Sequence, residues 1–193
     1  MKKLTTDGLT LREIKAKDVF GYTELFSDSE TMDLFGGPTV KSDIEISNLI
    51  SIKRQEFENN AALFWTITET EEKEFIGFIR LMNYQSYYFD ESYSSMGEER
   101  NNPEFLQYID RQNGWELDYA LLPNYRQKGF MTEVIKAVLK YCGESGINTV
   151  YAKVNSNTNK PTIAVLLKNG FEEHLPQANH KGGMGMIYSW ENM

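Results

Sequence analysis

The sequence predicts an α/β fold, of the α+β kind, in which helices flank one mixed sheet. A strand and two helices come first, three strands follow, and strand and helix patterns then alternate. Residues 63–84 have the pattern of a hairpin, with "LFWTIT" and "EFIGFIRLMNY" on either side of the charged turn "ETEEK". Residues 115–154 have the pattern strand, helix, strand, which is typical of a parallel pair. We therefore expect a mostly antiparallel, twisted sheet with one parallel pair in its second half.

The N-terminal part has a strand pattern at residues 9–14 and two helical patterns after it. Asp18 is expected to cap the first helix, which carries the apolar residues Val19, Phe20, Tyr22, Leu25 and Phe26. Ser42 and Glu45 have the spacing of a capping box. The helix that they open is expected to bury Ile44, Leu49 and Ile50.

Length and charge limit the classes of protein to be considered. The 193 residues fit one domain, with 20 Lys and Arg against 28 Asp and Glu, a net charge of −8. This balance disfavours nucleic acid as a partner. The N-terminus lacks the apolar core of a signal peptide, and no stretch approaches the about 20 apolar residues that cross a membrane. With Cys142 as the single cysteine, a cytoplasmic protein with no membrane partner is expected.

Residues 85–113 lose the periodicity of the rest of the chain. They are acidic and rich in tyrosine, and we interpret them as an atypical insertion within a single domain that covers residues 1–193. An irregular stretch of this length inside a compact domain is usually functional or mobile. Tyr84, Tyr87 and Tyr88, at its start, either line a cleft or pack in the core.

The segment "PNYRQKGFMTEV", residues 123–134, joins a strand to a helix and predicts an anion site. The helix has a broad apolar face (residues 130, 131, 134, 135, 138, 139 and 142), so its first turn lies directly after Gly129. Amides of a first helical turn have no intrahelical acceptor and bind phosphate well. Arg126 and Lys128 add positive charge, and Gly129 lets a ligand approach the backbone. The alternative is a plain strand-to-helix turn, and no Walker or Rossmann glycine motif occurs in the chain.

This segment resembles the acetyl-CoA pyrophosphate loop of the GNAT N-acetyltransferase superfamily, [QR]-x-x-G-x-[GA]. Arg126 and Gly129 match the pattern, whereas Met131 stands where Gly or Ala is usual. The variant G-x-M-T-E is similar to the branch of ribosomal-protein N-terminal (Rim-type) acetyltransferases. "ELDYALLPNYRQKG" and "NTNKPTIAVLLKNGF" also resemble that branch, with Thr162 in place of a usual serine. The resemblance covers most of residues 9–84 and 115–190.

The resemblance implies a GNAT fold that binds acetyl-CoA as co-substrate. The pyrophosphate would lie on the amides of the loop and first helical turn: Arg126, Gln127, Lys128, Gly129, Phe130, Met131 and Thr132. The pantetheine arm would pair with backbone near Leu121 and Leu122. Asn159 would bond the pantetheine or cap the following helix. The strands at 117–122 and 149–154 would splay apart to admit the thioester, near backbone amides that stabilise an oxyanion.

For catalysis, the resemblance implies direct attack by an amine, without an acyl-enzyme. Many members of the superfamily use a tyrosine as the acid for the departing thiolate, but Leu166 occupies that position here. Thr162 is the candidate acid, and its alternative role is a backbone hydrogen bond in the helix. Glu116 and Asp118 share one strand face and are candidate bases, or else an exposed face.

No metal site is predicted, because His174 and His180 lack partners at ligand spacing, and Cys142 is expected in the core. The resulting hypothesis is an N-acetyltransferase acting on a primary amine, either a protein N-terminus or a small-molecule amine. The acidic charge weakly favours a cationic acceptor. Two alternatives are a GNAT-fold module that binds CoA without transfer and an enzyme with another acyl donor, such as succinyl-CoA. The resemblance also implies that a homodimer is a reasonable expectation.

Overall fold

The computed structural model describes most of the chain. The described ranges are residues 2–35, 39–40, 42–70, 74–83, 114–156, 159–178 and 184–192. The predicted insertion at 85–113 and the tyrosines at its start lie outside them.

Strands within these ranges form one eight-stranded sheet in the order β1-β2-β3-β4-β5-β6-β8-β7. The strands are β1 Leu4–Thr5, β2 Leu9–Glu13, β3 Ala62–Glu69, β4 Phe75–Asn83, β5 Gly114–Leu121, β6 Thr149–Val154, β7 Glu172–Ala178 and β8 Met184–Glu191. The helices are α1 Val19–Ser27, α2 Ser29–Phe35, α3 Asp43–Glu58, α4 Phe130–Glu144 and α5 Lys160–Lys168. Among the described strands, only β5 and β6 pair in parallel, which confirms the predicted mixed sheet.

The two faces of the sheet carry separate apolar cores. Alternate residues of a strand point to opposite faces, and the sequence places an apolar residue at both kinds of position. Trp65 and Ile79 belong to a core that includes the buried face of α4. Phe64 and Phe78, their neighbours in the same strands, belong to a core shared with α1 and α3. The sheet is therefore covered on both faces, and a site at its centre can be reached from either layer.

The prediction that Asp18 caps α1 is wrong. Asp18 is buried, and its carboxylate accepts two hydrogen bonds of 2.7 Å from Arg12 and one of 2.8 Å from the Lys15 amide. It makes no capping bond to α1. A buried arginine needs a charged partner, so Asp18 serves Arg12 instead of the helix. Along α1, Tyr22 and Leu25 are buried, whereas Phe20 is 72% exposed.

The predicted burial along α3 is also partly wrong. Ile50 is buried as expected, but Ile44 is 75% exposed and Ile46 takes its place in the core. Ile44 lies roughly 200° around the helix from Ile46, so the two cannot share a face. Ser42 stands at the N-cap position without a capping hydrogen bond from its side chain. The first residue of the helix, Asp43, instead accepts a 2.7 Å bond from Thr23 of α1.

The parallel pair separates after three residue pairs, which is the splay that the resemblance implied. The pairs are Gly114 with Thr149, Trp115 with Val150, and Glu116 with Tyr151. Beyond them β5 continues to Leu121 and β6 to Val154 without pairing to each other within the described residues. This leaves a gap in the middle of the sheet. Among the helices that the structure describes, none is long and apolar enough to span a bilayer.

One glycine keeps β4 close to the strand that borders this gap. A Cβ at Gly77 would lie 2.1 Å from the backbone oxygen of Ala120 in β5. We expect Gly77→Ala to lower the free energy of unfolding by about 1–3 kcal/mol, because the two strands must move apart. Gly8→Ala is the control, since a Cβ there has no atom within 4 Å. Urea unfolding of both variants checks this, and equal stability of the two would contradict it.

Candidate active site

A cavity of about 780 Å³ opens where β5 and β6 separate. Its wall is formed by α2, β4, β5, the loop before α4, the first turn of α4, β6 and α5. The structure brings most of the predicted site residues into this wall: Glu116, Asp118, Leu121, Arg126, Gln127, Gly129, Phe130, Met131, Thr132, Asn159 and Thr162. Leu122 and Lys128 do not line it.

The loop before α4 has the backbone form of an anion-binding turn. Gln127 and Gly129 both adopt positive φ, 62° and 83°. The first helical hydrogen bond of α4 joins the Glu133 amide to the Gly129 oxygen, so the amides of residues 130–132 precede it. A Cβ at Gly129 would meet no atom within 4 Å. Amides exposed at a helix N-terminus beside such a turn suit a phosphate group.

The side chain of Arg126 is hydrogen-bonded to other protein groups and is not available to bind phosphate. Its guanidinium donates to Asp28 at 3.0 Å, to Glu30 at 2.8 Å and to the Leu121 oxygen at 3.1 Å. The predicted positive charge of Arg126 is therefore balanced by carboxylates at α2, and the backbone is left as the main partner for phosphate. Hydrogen bonds from the Thr31 side chain, with smaller contributions from the Thr31 amide and Arg126, lower the pKa of Asp28, although desolvation opposes them.

Lys128 lies outside the cavity wall. Its Nζ sits over the ring of Tyr125, 5.3 Å from the centroid. The Tyr125 hydroxyl in turn donates a hydrogen bond to Glu74, which is the main reason that the pKa of Tyr125 is raised to about 12. The positive charge predicted at this position is thus held against an aromatic ring outside the cavity.

The structure distinguishes the two residues predicted beside the pantetheine arm. Leu121 is in the cavity wall, at the end of β5 that no longer pairs with β6. The Leu122 amide donates to the Ile76 oxygen at 2.9 Å, and its carbonyl accepts from the Tyr125 amide at 2.9 Å. The Leu122 side chain is buried in the core with α1 and α3. The open edge of β5 from residue 117 to Leu121 is therefore better placed than Leu122 to pair with a ligand.

At the start of α5, Asn159 is a helix cap. Its side-chain oxygen accepts a 3.3 Å hydrogen bond from the amide of Thr162, so the capping alternative is confirmed. This bond uses the Thr162 amide and not its hydroxyl, and both residues remain in the cavity wall. Leu166, at the position of the family's usual tyrosine, is fully buried in the core.

The two candidate bases are charge-paired, and they do not form an exposed face. Glu116 is 5% exposed, and its carboxylate lies 3.0 Å from the Lys153 amine. Asp118 forms an ion pair with Arg80 of β4, the residue opposite it in the antiparallel register. All four side chains line the cavity. Each carboxylate keeps oxygen lone pairs that could accept a proton from a bound amine.

The sequence interpretation missed Arg80, Lys153 and Tyr119 in the cavity wall. Arg80 lies across from Asp118 in the pairing of β4 with β5, which joins residues 38 positions apart, so no local pattern marked it. Tyr119 follows Asp118 directly, so it belongs to the opposite face of β5 and packs against the core that includes α4. No local signal marked Lys153 as the partner of Glu116, because these residues come from different strands.

The prediction that Cys142 lies in the core is confirmed, whereas His174 belongs to β7. Cys142 is fully buried, and burial raises the pKa of its thiol to about 12, as expected of a core residue. His174 lies beside the ring of Tyr151, with 5.5 Å between the centroids. No cluster of three metal-ligating side chains occurs within the described ranges. His180 lies outside them.

Comparison with known proteins identifies the family. Residues 8–172 match the model of the acetyltransferase (GNAT) domain, so the chain belongs to the GNAT acetyltransferases. It is 25% identical over 174 residues to the uncharacterized N-acetyltransferase YoaA of Bacillus subtilis, covering 88% of this chain and 82% of the relative. It is therefore an acyl-CoA-dependent N-acetyltransferase, with acetyl-CoA as its co-substrate.

Solved structures show the same fold at low identity. The microcin C7 self-immunity acetyltransferase MccE, solved with acetyl-CoA and AMP, is 17% identical with a TM-score of 0.74, covering 97% of this chain and 94% of the other. Spermidine N-acetyltransferase from Vibrio cholerae, solved with CoA and spermine, is 16% identical with a TM-score of 0.72 and 96% coverage of both chains. The ribosomal L7/L12 alpha-N-protein acetyltransferase RimL is 14% identical with a TM-score of 0.74, covering 99% and 94%.

Two glycine variants separate the effect of Gly129 on acetyl-CoA binding from the effect of backbone strain. We expect Gly129→Val to weaken acetyl-CoA binding about tenfold or more, because the new side chain would fill the space in front of the amides. Gly146, at the other end of α4, also has positive φ (75°) and no atom within 4 Å of a Cβ. Gly146→Val therefore carries comparable backbone strain without the ligand site, and its affinity should be unchanged.

Isothermal titration of both variants, together with Arg126→Ala, checks this. Arg126→Ala should weaken acetyl-CoA binding only modestly, because its guanidinium is held by Asp28 and Glu30. Equal losses of affinity in Gly129→Val and in either of the other two variants would contradict a backbone-held pyrophosphate.

Proposed function

We propose that the chain acetylates a primary amine by direct transfer from acetyl-CoA within the cavity between β5 and β6. One observation carries the proposal. A single cavity connects the N-terminus of α4 with the open edge of β5, with Thr162 and with the carboxylates of Glu116 and Asp118. This arrangement supplies an anion site, an unpaired strand edge and proton-accepting groups along one continuous wall.

Different groups in the cavity wall bind different parts of acetyl-CoA. The loop amides from Gln127 to Thr132 hold the pyrophosphate, assisted by the positive end of the α4 dipole. The predicted contribution of the Arg126 amide is wrong, because that amide donates to the Pro123 oxygen at 3.2 Å. The β5 edge from residue 117 to Leu121 pairs with the pantetheine arm, and Asn159 faces the same cavity from α5. Backbone donors at the split stabilise the oxyanion that forms when the amine attacks.

The two sides of the gap between β5 and β6 have different roles in proton transfer. Glu116 and Asp118 lie on the face of β5 shared with Ala120, which packs towards α1 and α3. We assign to them the proton of the attacking amine, taken directly or through water. Thr162 of α5 lies on the other side, and we assign its hydroxyl to the proton path of the departing thiolate.

The charges of the cavity favour an acetyl donor over a charged acyl donor. A succinyl group would need a cation near the thioester end. Of the four cations in the cavity wall, Arg80, Lys153 and Arg126 pair with carboxylates. The fourth, Lys168, is the last residue of α5, whereas Thr162 lies in its first turn. An uncharged acetyl group requires no such partner, so we expect acetyl-CoA to be preferred.

We propose a cationic amine as the acceptor. The protein carries a net charge of −8. The cavity wall itself is mixed, with carboxylates of Glu30, Glu116 and Asp118 beside four cations: Arg80, Arg126, Lys153 and Lys168. The negative field of the whole protein raises the local concentration of cationic substrates. A polyamine or a peptide with a free N-terminus fits this description, and two proteins of the same fold are named for such substrates.

The release of CoA in the presence of amines tests the proposal. The protein is incubated with acetyl-CoA and, in turn, spermidine, an aminoglycoside and peptides with a free N-terminus, and free thiol is measured. Cys142 should contribute no background, because it is fully buried. We expect release with at least one amine, a large loss in Thr162→Ala and retention in Thr162→Ser, which keeps the hydroxyl.

Two outcomes would contradict this proposal in different ways. Binding of acetyl-CoA with no release for any amine would favour the CoA-binding module without transfer. Equal rates for Thr162→Ala and the unchanged protein would remove Thr162 from the proton path and leave transfer itself intact.

A further inference from the structure

The short helix α2 is attached at its two ends to opposite sides of the gap between β5 and β6. Its first turn is bonded to Arg126, in the loop that follows β5. At its other end, the Leu34 carbonyl accepts a 3.3 Å hydrogen bond from the side chain of Asn155, the residue after β6. The seven residues of α2 span about 10 Å. This length bridges two strands that no longer pair, since paired neighbours lie only about 4.8 Å apart.

Arg126 makes the more extensive of the two attachments. Its guanidinium donates to Asp28 at 3.0 Å, to the Thr31 hydroxyl at 2.5 Å and to Glu30 at 2.8 Å. Asp28 caps α2, because its carboxylate accepts a 3.0 Å bond from the Thr31 amide. The Nε atom of Arg126 donates to the Leu121 carbonyl at 3.1 Å, at the end of β5. One side chain therefore connects the end of β5 to the cap of α2.

Burial shows which of these bonds restrain the helix most. The side chains of Arg126 and Asp28 are 27% and 26% exposed, and Thr31 is buried. The Glu30 side chain is 74% exposed, so its ion pair contributes little. The bonds to Asp28 and Thr31 are therefore the main restraint. A lysine could not make them together with the Leu121 bond, because a single ammonium lacks the planar fork of a guanidinium.

The same helix forms the cavity wall on the side of the two candidate bases. Four of its side chains line the cavity: Glu30, Thr31, Leu34 and Phe35. The Phe35 ring lies 5.9 Å from the ring of Phe78, between centroids, and packs against the core with α1 and α3. Glu116 and Asp118 point to this layer too. An amine that gives its proton to either carboxylate therefore enters between β5 and α2.

We propose that Arg126 and Asn155 are positioning residues for the acceptor, which hold α2 across the gap at the distance that the amine requires. This inference rests on the proposed function and names residues of that same site. It separates two roles within the loop, because its backbone amides bind the cofactor whereas the Arg126 side chain maintains the acceptor wall. Neither side chain takes part in proton transfer.

Arg126→Ala is the central variant, because it removes the guanidinium and leaves the loop backbone. The acceptor is whichever of spermidine, the aminoglycoside and the peptides releases CoA fastest. We expect its KM to rise about tenfold, since α2 is no longer held in place. The acetyl-CoA Kd should change less than about threefold, because the loop amides remain. Arg126→Lys should resemble Arg126→Ala, because it keeps the charge without the bridging geometry.

Asn155→Ala tests the attachment at the other end of α2. The KM of the amine should rise here too, with the acetyl-CoA Kd unchanged, because the bond to the Leu34 carbonyl is lost. Lys2→Ala is the control. It removes an exposed ion pair with Glu144, at the far end of α4, so neither constant should change.

Three results would overturn the proposal. Equal rises in the amine KM and the acetyl-CoA Kd of Arg126→Ala would assign this side chain to the cofactor. An unchanged KM in Arg126→Ala or in Asn155→Ala would show that the acceptor does not depend on the attachment. A rise of the same size in Lys2→Ala would show that the effect is not specific to α2.

Hydrogen exchange needs no acceptor and separates this inference from the proposed function. The amides of α2 should exchange about tenfold faster in Arg126→Ala than in the unchanged protein, because a restraint on the helix is lost. Exchange in the middle of α4 should be equal in both, which shows that the variant is folded. Equal exchange in α2 would overturn this inference alone. Failure of every amine to release CoA would overturn the proposed function and the acceptor role together.

Discussion

The separation of β5 from β6 is the constraint on which the rest of the site depends. Pairing stops at Glu116 and Tyr151, yet both strands continue. Each is held on its outer edge, β5 by seven antiparallel residue pairs with β4 and β6 by six with β8. The gap can therefore persist without collapse of the sheet. Backbone groups left unpaired at this edge need hydrogen-bond partners, and a ligand arm with alternating donors and acceptors can supply them.

The gap also lets one strand present different chemistry to the two layers. Because side chains alternate, β5 directs Glu116 and Asp118 to the layer of α1 and α3, and Tyr119 to the layer of α4 and α5. In the proposed reaction, a proton leaves the amine on one side and reaches sulfur on the other. The ion pairs with Lys153 and Arg80 hold the two carboxylates at the split, where an isolated buried charge would be costly.

The parts of this architecture that depend on local pattern could be predicted from the sequence. The period of the apolar residues after Gly129 located α4 and the loop before it, and the same period placed Cys142 in the core. The hairpin turn gave the antiparallel pairing of β3 with β4. In each case the determining residues lie within a few positions of one another.

Features that depend on distant partners could not be predicted. Arg126 binds Asp28, 98 residues earlier in the chain, so its charge appeared available for phosphate. Asp18 precedes α1, where a helix cap is expected, but its carboxylate binds the buried Arg12 instead. Ile44 is a different case, since its helical phase relative to Ile50 already argued against burial.

Thermal unfolding with and without saturating acetyl-CoA tests most directly whether the split and the α4 loop form a CoA site. At a hundred times Kd, one bound ligand adds about 2.7 kcal/mol, or roughly 5–10 °C for a domain of this size. We expect a rise of that order with acetyl-CoA and with CoA, and none with NAD or ATP. An unchanged melting temperature with acetyl-CoA, or an equal rise with ATP, would contradict a site shaped for the whole cofactor.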